Sequence, residues 1–142
     1  MPAPPPGVRW TTGEHEYTRY GFRPLIESRS VDIVQPDVMW VGGLTELMRI
    51  AAMAAAYDIP VIPHGSGAYS YHFLATQPNV PFGEYINVSA DGRELTPLFG
   101  AMFAGDPLPR NGTVVLGDAP GFGLTLNKAE VRLDRPFDGS RP

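Results

Sequence analysis

Residues 31–64 read VDIVQPDVMWVGGLTELMRIAAMAAAYDIPVIPH and hold two short apolar runs on either side of a helical segment. The runs Val31–Val34 and Pro60–Pro63 are typical of short buried strands. Between them, apolar residues recur at helical spacing on one face, namely Leu47, Ile50, Ala51 and Ala54. We predict a helix over residues 46–57, with Thr45 as its cap. A connection of this length cannot be a hairpin, so the two strands are expected to run parallel.

The same alternation extends in both directions from this unit. Upstream, residues 8–11 predict a strand and residues 22–28 predict a short helix. Downstream, residues 82–86 predict a fourth strand, which follows a long loop over residues 65–81. Alternating strands and helices with long connections predict an α/β protein built around a parallel sheet.

The composition argues against several classes of function. The chain has 142 residues, which suits one domain. Its 15 acidic and 11 basic residues give a formal charge of -4, so nucleic acid is not an expected partner. The absence of cysteine excludes thiol nucleophiles and zinc–thiolate clusters, and it suits a reducing compartment. No apolar run reaches the roughly 18 residues of a membrane helix, and the first residues lack the regions of a signal peptide, so we expect a cytoplasmic protein with no membrane partner.

Polar residues follow the predicted strands at the edge where ligands gather in parallel α/β folds. Asp37 follows the second strand and His64 follows the third, at equivalent positions. Neighbouring strands lie about 4.8 Å apart, so these side chains are expected within hydrogen-bond reach. A carboxylate on one imidazole nitrogen raises the basicity of the other, which suits a general base. The alternative is that His64 only satisfies a loop backbone and Asp37 only caps a turn after Pro36.

Three further ionisable residues are candidates for the same site. Glu14 is either an oxygen ligand for Mg²⁺ or a solvated loop acid. His15, its neighbour, either binds substrate hydroxyls or has a structural role. Glu84 lies in a predicted apolar strand, where a buried carboxylate needs a partner or must keep its proton. His72 is interpreted as a packing or loop contact.

Four motifs in this order resemble the enolase superfamily, mandelate racemase subgroup. They are WTTGEHEYTRY at residues 10–20, QPDV at 35–38, GGLTE at 42–46 and PHGSG at 63–67. The GEHE run within the first motif is the most diagnostic part. Within the subgroup, the residues are most similar to the dehydratases that act on L-rhamnonate, and the resemblance covers roughly residues 8–127.

The resemblance implies a fold and a role for each candidate residue. The fold is the C-terminal part of a (β/α)7β TIM-like barrel. Glu14 is implied as the third of three Mg²⁺ ligands, and Asp37 with His64 as the acid/base dyad. Glu84 is implied to face the developing enediolate, and His15 to face the substrate. The implied reaction is Mg²⁺-assisted dehydration of a small-molecule sugar acid, from L-rhamnonate to 2-keto-3-deoxy-L-rhamnonate.

Together with the opening proline run and the recurring Pro, Gly and Asp residues after Asn87, the resemblance predicts three parts of the chain. These are a disordered Pro-rich tail over residues 1–7, a partial barrel over 8–100 and an irregular C-terminal extension over 101–142. The strands that carry the other two metal ligands are missing, so we expect a fragment that is inactive alone. One alternative is a non-catalytic remnant that needs another chain to fold, and a second is a dehydratase of a different sugar acid. An open barrel exposes a strand edge, which would favour a homo-oligomer.

Overall fold

The computed structural model describes residues 5–65 and 67–131. Residues 1–4 of the predicted tail, Ser66 and residues 132–142 of the predicted extension lie outside the described residues. The remaining tail residues form a turn, in which the N–H of Val8 donates to the Pro5 carbonyl at 3.1 Å. The division of the chain into a tail, a partial barrel and an extension stays a prediction.

A small parallel sheet lies at the centre of the fold. Strand β1, Thr11–Thr12, pairs in parallel with strand β2, Ile33–Val34. Val34 also forms a parallel bridge with Val61, so β2 lies between β1 and the Val61 segment. Val34 and Val61 are fully buried, as expected where helices cover a parallel sheet. The predicted parallel α/β arrangement is confirmed. The strands are shorter than predicted, and β1 begins only at the last residue of the run predicted over residues 8–11.

Helix α2, Leu44–Ala55, is the crossover between β2 and the Val61 segment, as predicted. Its buried face consists of Glu46, Leu47, Ile50, Ala51 and Ala54. The predicted cap is wrong, because Thr45 lies inside the helix and Gly43 is the capping residue. Gly43 has a φ of 87°, which L side chains rarely adopt, and its carbonyl accepts the N–H of Leu47 at 3.1 Å. The helix therefore starts from a glycine turn and needs no side-chain cap.

Helix α1, Thr18–Glu27, packs against α2 and begins before the predicted start at Phe22. The reason lies outside the helix, because the carboxylate of Glu46 accepts the backbone N–H of Arg19 at 2.9 Å. This contact satisfies one of the donors that every helix leaves unpaired in its first turn. Phe22 and Ile26 are fully buried and anchor α1 to the core.

Helix α3, Ala68–Thr76, occupies part of the region predicted as a long loop. It starts after Gly67, and its buried residues Ala68, Ser70, Tyr71 and Phe73 do not form a single stripe. A helix packed on more than one face shows no apolar periodicity, so the sequence pattern missed it. Across residues 5–65 and 67–131, none of the three α-helices has the length and apolar character needed to cross a bilayer.

The predicted fourth strand over residues 82–86 is wrong, since this segment has no ladder pairing in the structure. The N–H of Val61 donates to the carbonyl of Asn79 at 3.0 Å, so Asn79 meets the neighbouring strand instead. The Asn79 side-chain amide also donates to the Ala51 carbonyl at 3.0 Å, which ties the same segment to α2. Residues 82–86 then follow as a loop beside the sheet edge.

An aromatic cluster holds the C-terminal segment against α3. The ring of Tyr69 lies 5.0 Å from that of Phe122 and 5.9 Å from that of Phe99, edge to face in both cases. The segment includes a 3₁₀ turn, Gly100–Met102, and an antiparallel pair of strands, β3 at Phe103–Ala104 and β4 at Thr125–Leu126. The described part of this segment, up to residue 131, therefore packs on α3, and none of its described strands pairs with the parallel sheet.

Candidate active site

The ends of two neighbouring strands bring Asp37 and His64 to the same edge of the sheet. The N–H of Ile62 donates to the Val34 carbonyl at 3.0 Å. The N–H of His64 donates to the Pro36 carbonyl at 3.0 Å, so the parallel pairing continues beyond β2. These backbone bonds hold residues 37 and 64 at matching positions, one strand spacing apart.

Asp37 has one carboxylate oxygen for the imidazole and one for its own turn. Its Oδ2 lies 2.9 Å from Nδ1 of His64, and its Oδ1 accepts the N–H of Met39 at 2.7 Å. Asp37 is therefore both the partner of His64 and the cap of the turn after Pro36, so neither interpretation of this residue excludes the other. With Asp37 ionised, Nδ1 carries a proton, and the second ring nitrogen becomes the reactive one.

Gly13 places Glu14 beside the same imidazole. The φ of Gly13 is 130°, and a Cβ there would lie 2.5 Å from Cε1 of Phe22, so glycine alone lets the chain pass this close to α1. The Gly13 carbonyl accepts the N–H of Glu16 at 3.0 Å and closes the turn. Glu14 Oε2 then lies 3.0 Å from Nε2 of His64. Both nitrogens of the ring therefore face carboxylates.

Glu84 reaches the site from the loop over residues 82–86. Its Oε2 accepts the N–H of Gly65 at 2.9 Å and lies 4.0 Å from Nε2 of His64. A Cβ on Gly65 would lie 2.6 Å from Cγ1 of Ile86, so this close approach also depends on a glycine. The expectation of a buried carboxylate in a strand is corrected, because 37% of the Glu84 side chain is exposed and its partner is a backbone N–H.

The net effect of the surroundings of His64 is to raise its pKa above the ordinary value of 6.5. Burial is the largest single influence and lowers this pKa, but it is outweighed by the hydrogen bond to Asp37 and by the charges of Glu84 and Glu14. About a quarter of the His64 side chain is exposed, at 27%, so a ligand can reach it. An imidazole in this setting can take and return a proton near neutral pH.

Of the other two histidines, one lies beside Glu14 and the other lies on α3. His15 points largely into solvent, with 77% of its side chain exposed and Nδ1 3.8 Å from Glu14 Oε1. It is thus close to Glu14 and remains accessible to a substrate. His72 lies on α3 with its ring 5.8 Å from that of Phe122, in the packing role expected from the sequence.

Glu14 is the carboxylate that the sequence associates with a metal ion. Among the residues that the structure describes, no three His, Asp or Glu side chains are grouped so as to hold a metal. Mg²⁺ takes oxygen ligands in a near-octahedral arrangement, and one carboxylate supplies only a small part of such a shell. These residues alone therefore do not fit a complete magnesium site.

Trp40 contacts this site and was missed by sequence reasoning. Its indole Nε1–H donates to the backbone carbonyl of His15 at 3.2 Å, next to Glu14. The only indication in the sequence was the residue type, because a tryptophan N–H usually finds a hydrogen-bond partner.

Comparisons with known proteins place these residues in a family. The family model described as enolase C-terminal domain-like matches residues 7–131. L-rhamnonate dehydratase from Saccharopolyspora erythraea is 48% identical over 134 residues, which are 94% of this chain and 34% of that protein. Two solved structures from Gibberella zeae are each 59% identical over 87% of this chain.

The first of these structures is L-rhamnonate dehydratase, with a TM-score of 0.81 over 32% of its own chain. The second is rhamnonate dehydratase complexed with Mg, with a TM-score of 0.82 over 31% of its own chain. This chain thus spans about a third of the length of the relatives that it matches. The sheet, the crossover helices and the matched residues together show that the chain belongs to the enolase C-terminal domain-like family, as a partial TIM barrel.

Proposed function

We propose that this chain carries the acid/base part of an active site that dehydrates a sugar acid, with L-rhamnonate as substrate and 2-keto-3-deoxy-L-rhamnonate as product. The observation that supports it most directly is the imidazole of His64, with Nδ1 2.9 Å from Asp37 and Nε2 3.0 Å from Glu14. Similarity to the L-rhamnonate dehydratases of two organisms supports this choice of substrate.

The proposed reaction breaks the C2–H and C3–O bonds of the sugar acid. Neutral His64 takes the C2 proton on Nε2, the ring nitrogen that Asp37 does not hold. The electron pair left on C2 is delocalised onto the substrate carboxylate as an enediolate, and it then forms the C2–C3 double bond as the C3 hydroxyl departs. The imidazolium returns the proton to that hydroxyl, which leaves as water. The remaining enol becomes the 2-keto acid by proton transfer, so no oxidant or reductant is required.

The neighbouring carboxylates are proposed to support His64 in this cycle. Asp37 accepts the Nδ1–H, keeps the lone pair on Nε2 and stabilises the imidazolium that forms. Glu84 is proposed to face the developing enediolate, and the Gly65 N–H that binds its Oε2 keeps it 4.0 Å from Nε2 of His64. His15 is proposed to bind substrate through its exposed ring.

Glu14 is proposed as one carboxylate ligand of Mg²⁺. The complex of the rhamnonate dehydratase from Gibberella zeae with Mg supports this assignment. Because the described residues form no group of three ligands, the other ligands have to come from outside them. Mg²⁺ would draw Glu14 away from Nε2 of His64 and would stabilise negative charge on the substrate carboxylate, while the proton transfers are proposed for His64 with Asp37 as its partner.

The setting proposed for this site is the cytoplasm, with a small-molecule sugar acid as partner and a homo-oligomer as the assembly. The absence of cysteine from the sequence suits a reducing compartment. The unpaired outer edge of β1, in the described part of the chain, supports an assembly that covers it.

A chimeric enzyme tests the proposal without requiring activity of the isolated chain. The matching third of the Saccharopolyspora erythraea enzyme is replaced by this chain, and formation of 2-keto acid from L-rhamnonate and Mg²⁺ is measured. We expect activity in the chimera, and we expect His64→Asn to lower kcat roughly 10²- to 10⁴-fold, the usual contribution of a general acid/base.

His72→Asn is the matched control, because this histidine packs against Phe122 away from the site and its replacement should keep the activity. A folded chimera with no activity would favour a non-catalytic chain. A chimera in which His64→Asn is as active as the unaltered protein would refute the role of His64. Activity on another sugar acid alone would correct the substrate.

A further inference from the structure

We propose that Trp40 is a positioning residue that holds the loop of Glu14 and His15 against the turn of Asp37. Trp40 belongs to the turn that follows Asp37, and its indole contacts the loop that carries Glu14, so it joins the two segments whose carboxylates flank His64. The consequence for catalysis rests on the proposed function, whereas the positioning itself is a property of the fold that is tested separately.

The indole of Trp40 contacts two loop residues that follow Glu14, namely His15 and Tyr17. Its Nε1–H donates to the His15 carbonyl at 3.2 Å, and its ring centre lies 5.4 Å from that of the His15 imidazole. The ring centre also lies 5.6 Å from that of Tyr17, with the two planes inclined by 32°. One hydrogen bond and two ring contacts therefore fix the segment that follows Glu14.

The turn that carries Trp40 is itself built on Asp37. The N–H groups of Trp40 and Val41 both donate to the Asp37 carbonyl, at 3.0 and 2.8 Å. The N–H of Met39 donates to the Asp37 side chain at 2.7 Å. These bonds involve the backbone of the turn, so replacing the Trp40 side chain leaves them in place.

The loop that Trp40 contacts is tied to its surroundings mainly at its ends. The Thr12 carbonyl accepts the N–H of Gln35 at 2.9 Å, and the N–H of Thr18 donates to the Val41 carbonyl at 3.1 Å. Glu14 lies between these two points, where the indole is the donor that reaches across from the neighbouring turn. The Trp40 contact therefore controls the position of the carboxylate that approaches Nε2 of His64.

The exposure of Trp40 argues against a purely structural role. The residue is 47% exposed and is not among the buried residues of the core. A ring with half its surface in water contributes less to stability than a core aromatic residue, because the area removed from water is smaller. Loss of its N–H should therefore change the local geometry of the loop and leave the protein folded.

The test uses the Trp40→Phe variant of the full 142-residue chain, which keeps an aromatic ring and removes the N–H donor. Histidine is labelled with ¹⁵N, and the two ring nitrogens of His64 are recorded at a fixed pH in the absence of metal. Nε2 reports on Glu14 and Nδ1 reports on Asp37. We expect a shift of the Nε2 resonance that is clearly larger than any shift of the Nδ1 resonance, and an unchanged melting temperature.

Met39→Leu is the matched control, because Met39 is a more exposed residue of the same turn, at 60%, and its side chain is replaced by one of similar size. This variant should leave both nitrogens unchanged. An unshifted Nε2 in Trp40→Phe overturns the proposal, as do equal shifts at both nitrogens or failure of the variant to fold, since these would show a general structural role. None of these results depends on dehydratase activity, so failure of the proposed function would be recognised separately in the chimera.

Discussion

Glu14 Oε2 lies 3.0 Å from Nε2 of His64, on the side of the ring opposite the Asp37 contact. The imidazole therefore bridges two carboxylates carried by different segments of the sheet edge. With both nitrogens facing acceptors, the protonated ring is favoured. Any ligand that draws Glu14 away would release Nε2 as a base, so the position of Glu14 governs the state of the dyad.

Glu14→Gln is expected to lower the pKa of His64 in the metal-free chain. Burial lowers this pKa, and the hydrogen bond to Asp37 together with the charges of Glu84 and Glu14 raises it, so removing the charge of Glu14 weakens the raising side. The pKa is measured by NMR titration of the His64 ring protons with chelator present. Glu16→Gln removes the same charge two residues away, from a carboxylate bonded to the N–H of Tyr17, and should leave the pKa unchanged.

The same pKa gives a sign for the dependence of stability on pH. Because the pKa of folded His64 is raised, its contribution to stability is present below the ordinary value of 6.5 and is lost as the pH rises through the folded pKa. The difference in unfolding free energy between the unaltered protein and Glu14→Gln should therefore be larger in weakly acidic solution than in alkaline solution. A difference that grows toward alkaline pH would contradict this account.

Glu46→Gln is expected to destabilise the protein at neutral pH and to matter less in acid. The pKa of Glu46 is lowered, and the largest cause is the hydrogen bond from the backbone N–H of Arg19. Burial raises this pKa, whereas the guanidinium groups of Arg49 and Arg19 lower it further. A lowered carboxyl pKa contributes stability above the unfolded value, and this contribution is lost as the pH falls through the folded pKa. Urea unfolding between about pH 7 and pH 3 measures the difference.

Glu27→Gln is the control for Glu46, because Glu27 pairs with Arg23 on the exposed face of α1. Exposed pairs of this kind contribute little to stability. The Glu27 variant should show a smaller loss at neutral pH and a flatter response to acid. Equal losses in the two variants would show that the buried contact between α1 and α2 contributes no more to stability than the exposed pair does.

Gly13→Ala is expected to cost roughly 1–3 kcal/mol of stability, as other forced insertions into a packed region do. The added Cβ would lie 2.5 Å from Cε1 of Phe22 in a backbone with a φ of 130°. Gly92→Ala is the control that measures backbone strain without a steric clash. Gly92 also has a positive φ, of 70°, but no atom lies within 4 Å of its added Cβ. That variant should cost about 1 kcal/mol from the backbone alone. Equal costs in urea unfolding would mean that the Phe22 contact relaxes freely.

Ile50→Ala is expected to destabilise the protein by roughly 2–5 kcal/mol, the usual cost of a large-to-small change in a core. Ile50 is 0% exposed on the face of α2 that packs into the core. Met48→Ala is the matched control on the same helix, where Met48 is 48% exposed and its loss should change stability by no more than about 0.5 kcal/mol. Similar urea midpoints for the two variants would show that Ile50 is not part of the core.

The parallel core was predictable because its determinants are local. Short apolar runs around Val34 and Val61, with helical spacing between them, leave a crossover as the only connection of suitable length. The same pattern placed Asp37 and His64 after neighbouring strands, and the structure brings them together at 2.9 Å. Their catalytic roles, and those of Glu14, His15 and Glu84, stay predictions.

The wrong cap at Thr45 has a local cause, the glycine turn at Gly43, whereas three other errors depend on contacts distant in the chain. Helix α1 begins at Thr18 because Glu46, 27 residues after Arg19, accepts the N–H in its first turn. Helix α3 was missed because its contacts lie on more than one face. The segment predicted as a strand over residues 82–86 forms no ladder, because the carbonyl of Asn79 accepts the N–H of Val61.

The sequence by itself determined which side chains stand at the ends of the strands and that the strands run parallel, since periodicity and connection length are local properties. Only the tertiary structure decided that one imidazole lies between Asp37 and Glu14 and that Trp40 joins their two segments. Those distances depend on how the loop near residue 13 packs on Phe22 and on how the turn after residue 37 closes. The residue pattern within either segment carries no information about the distance between the two segments.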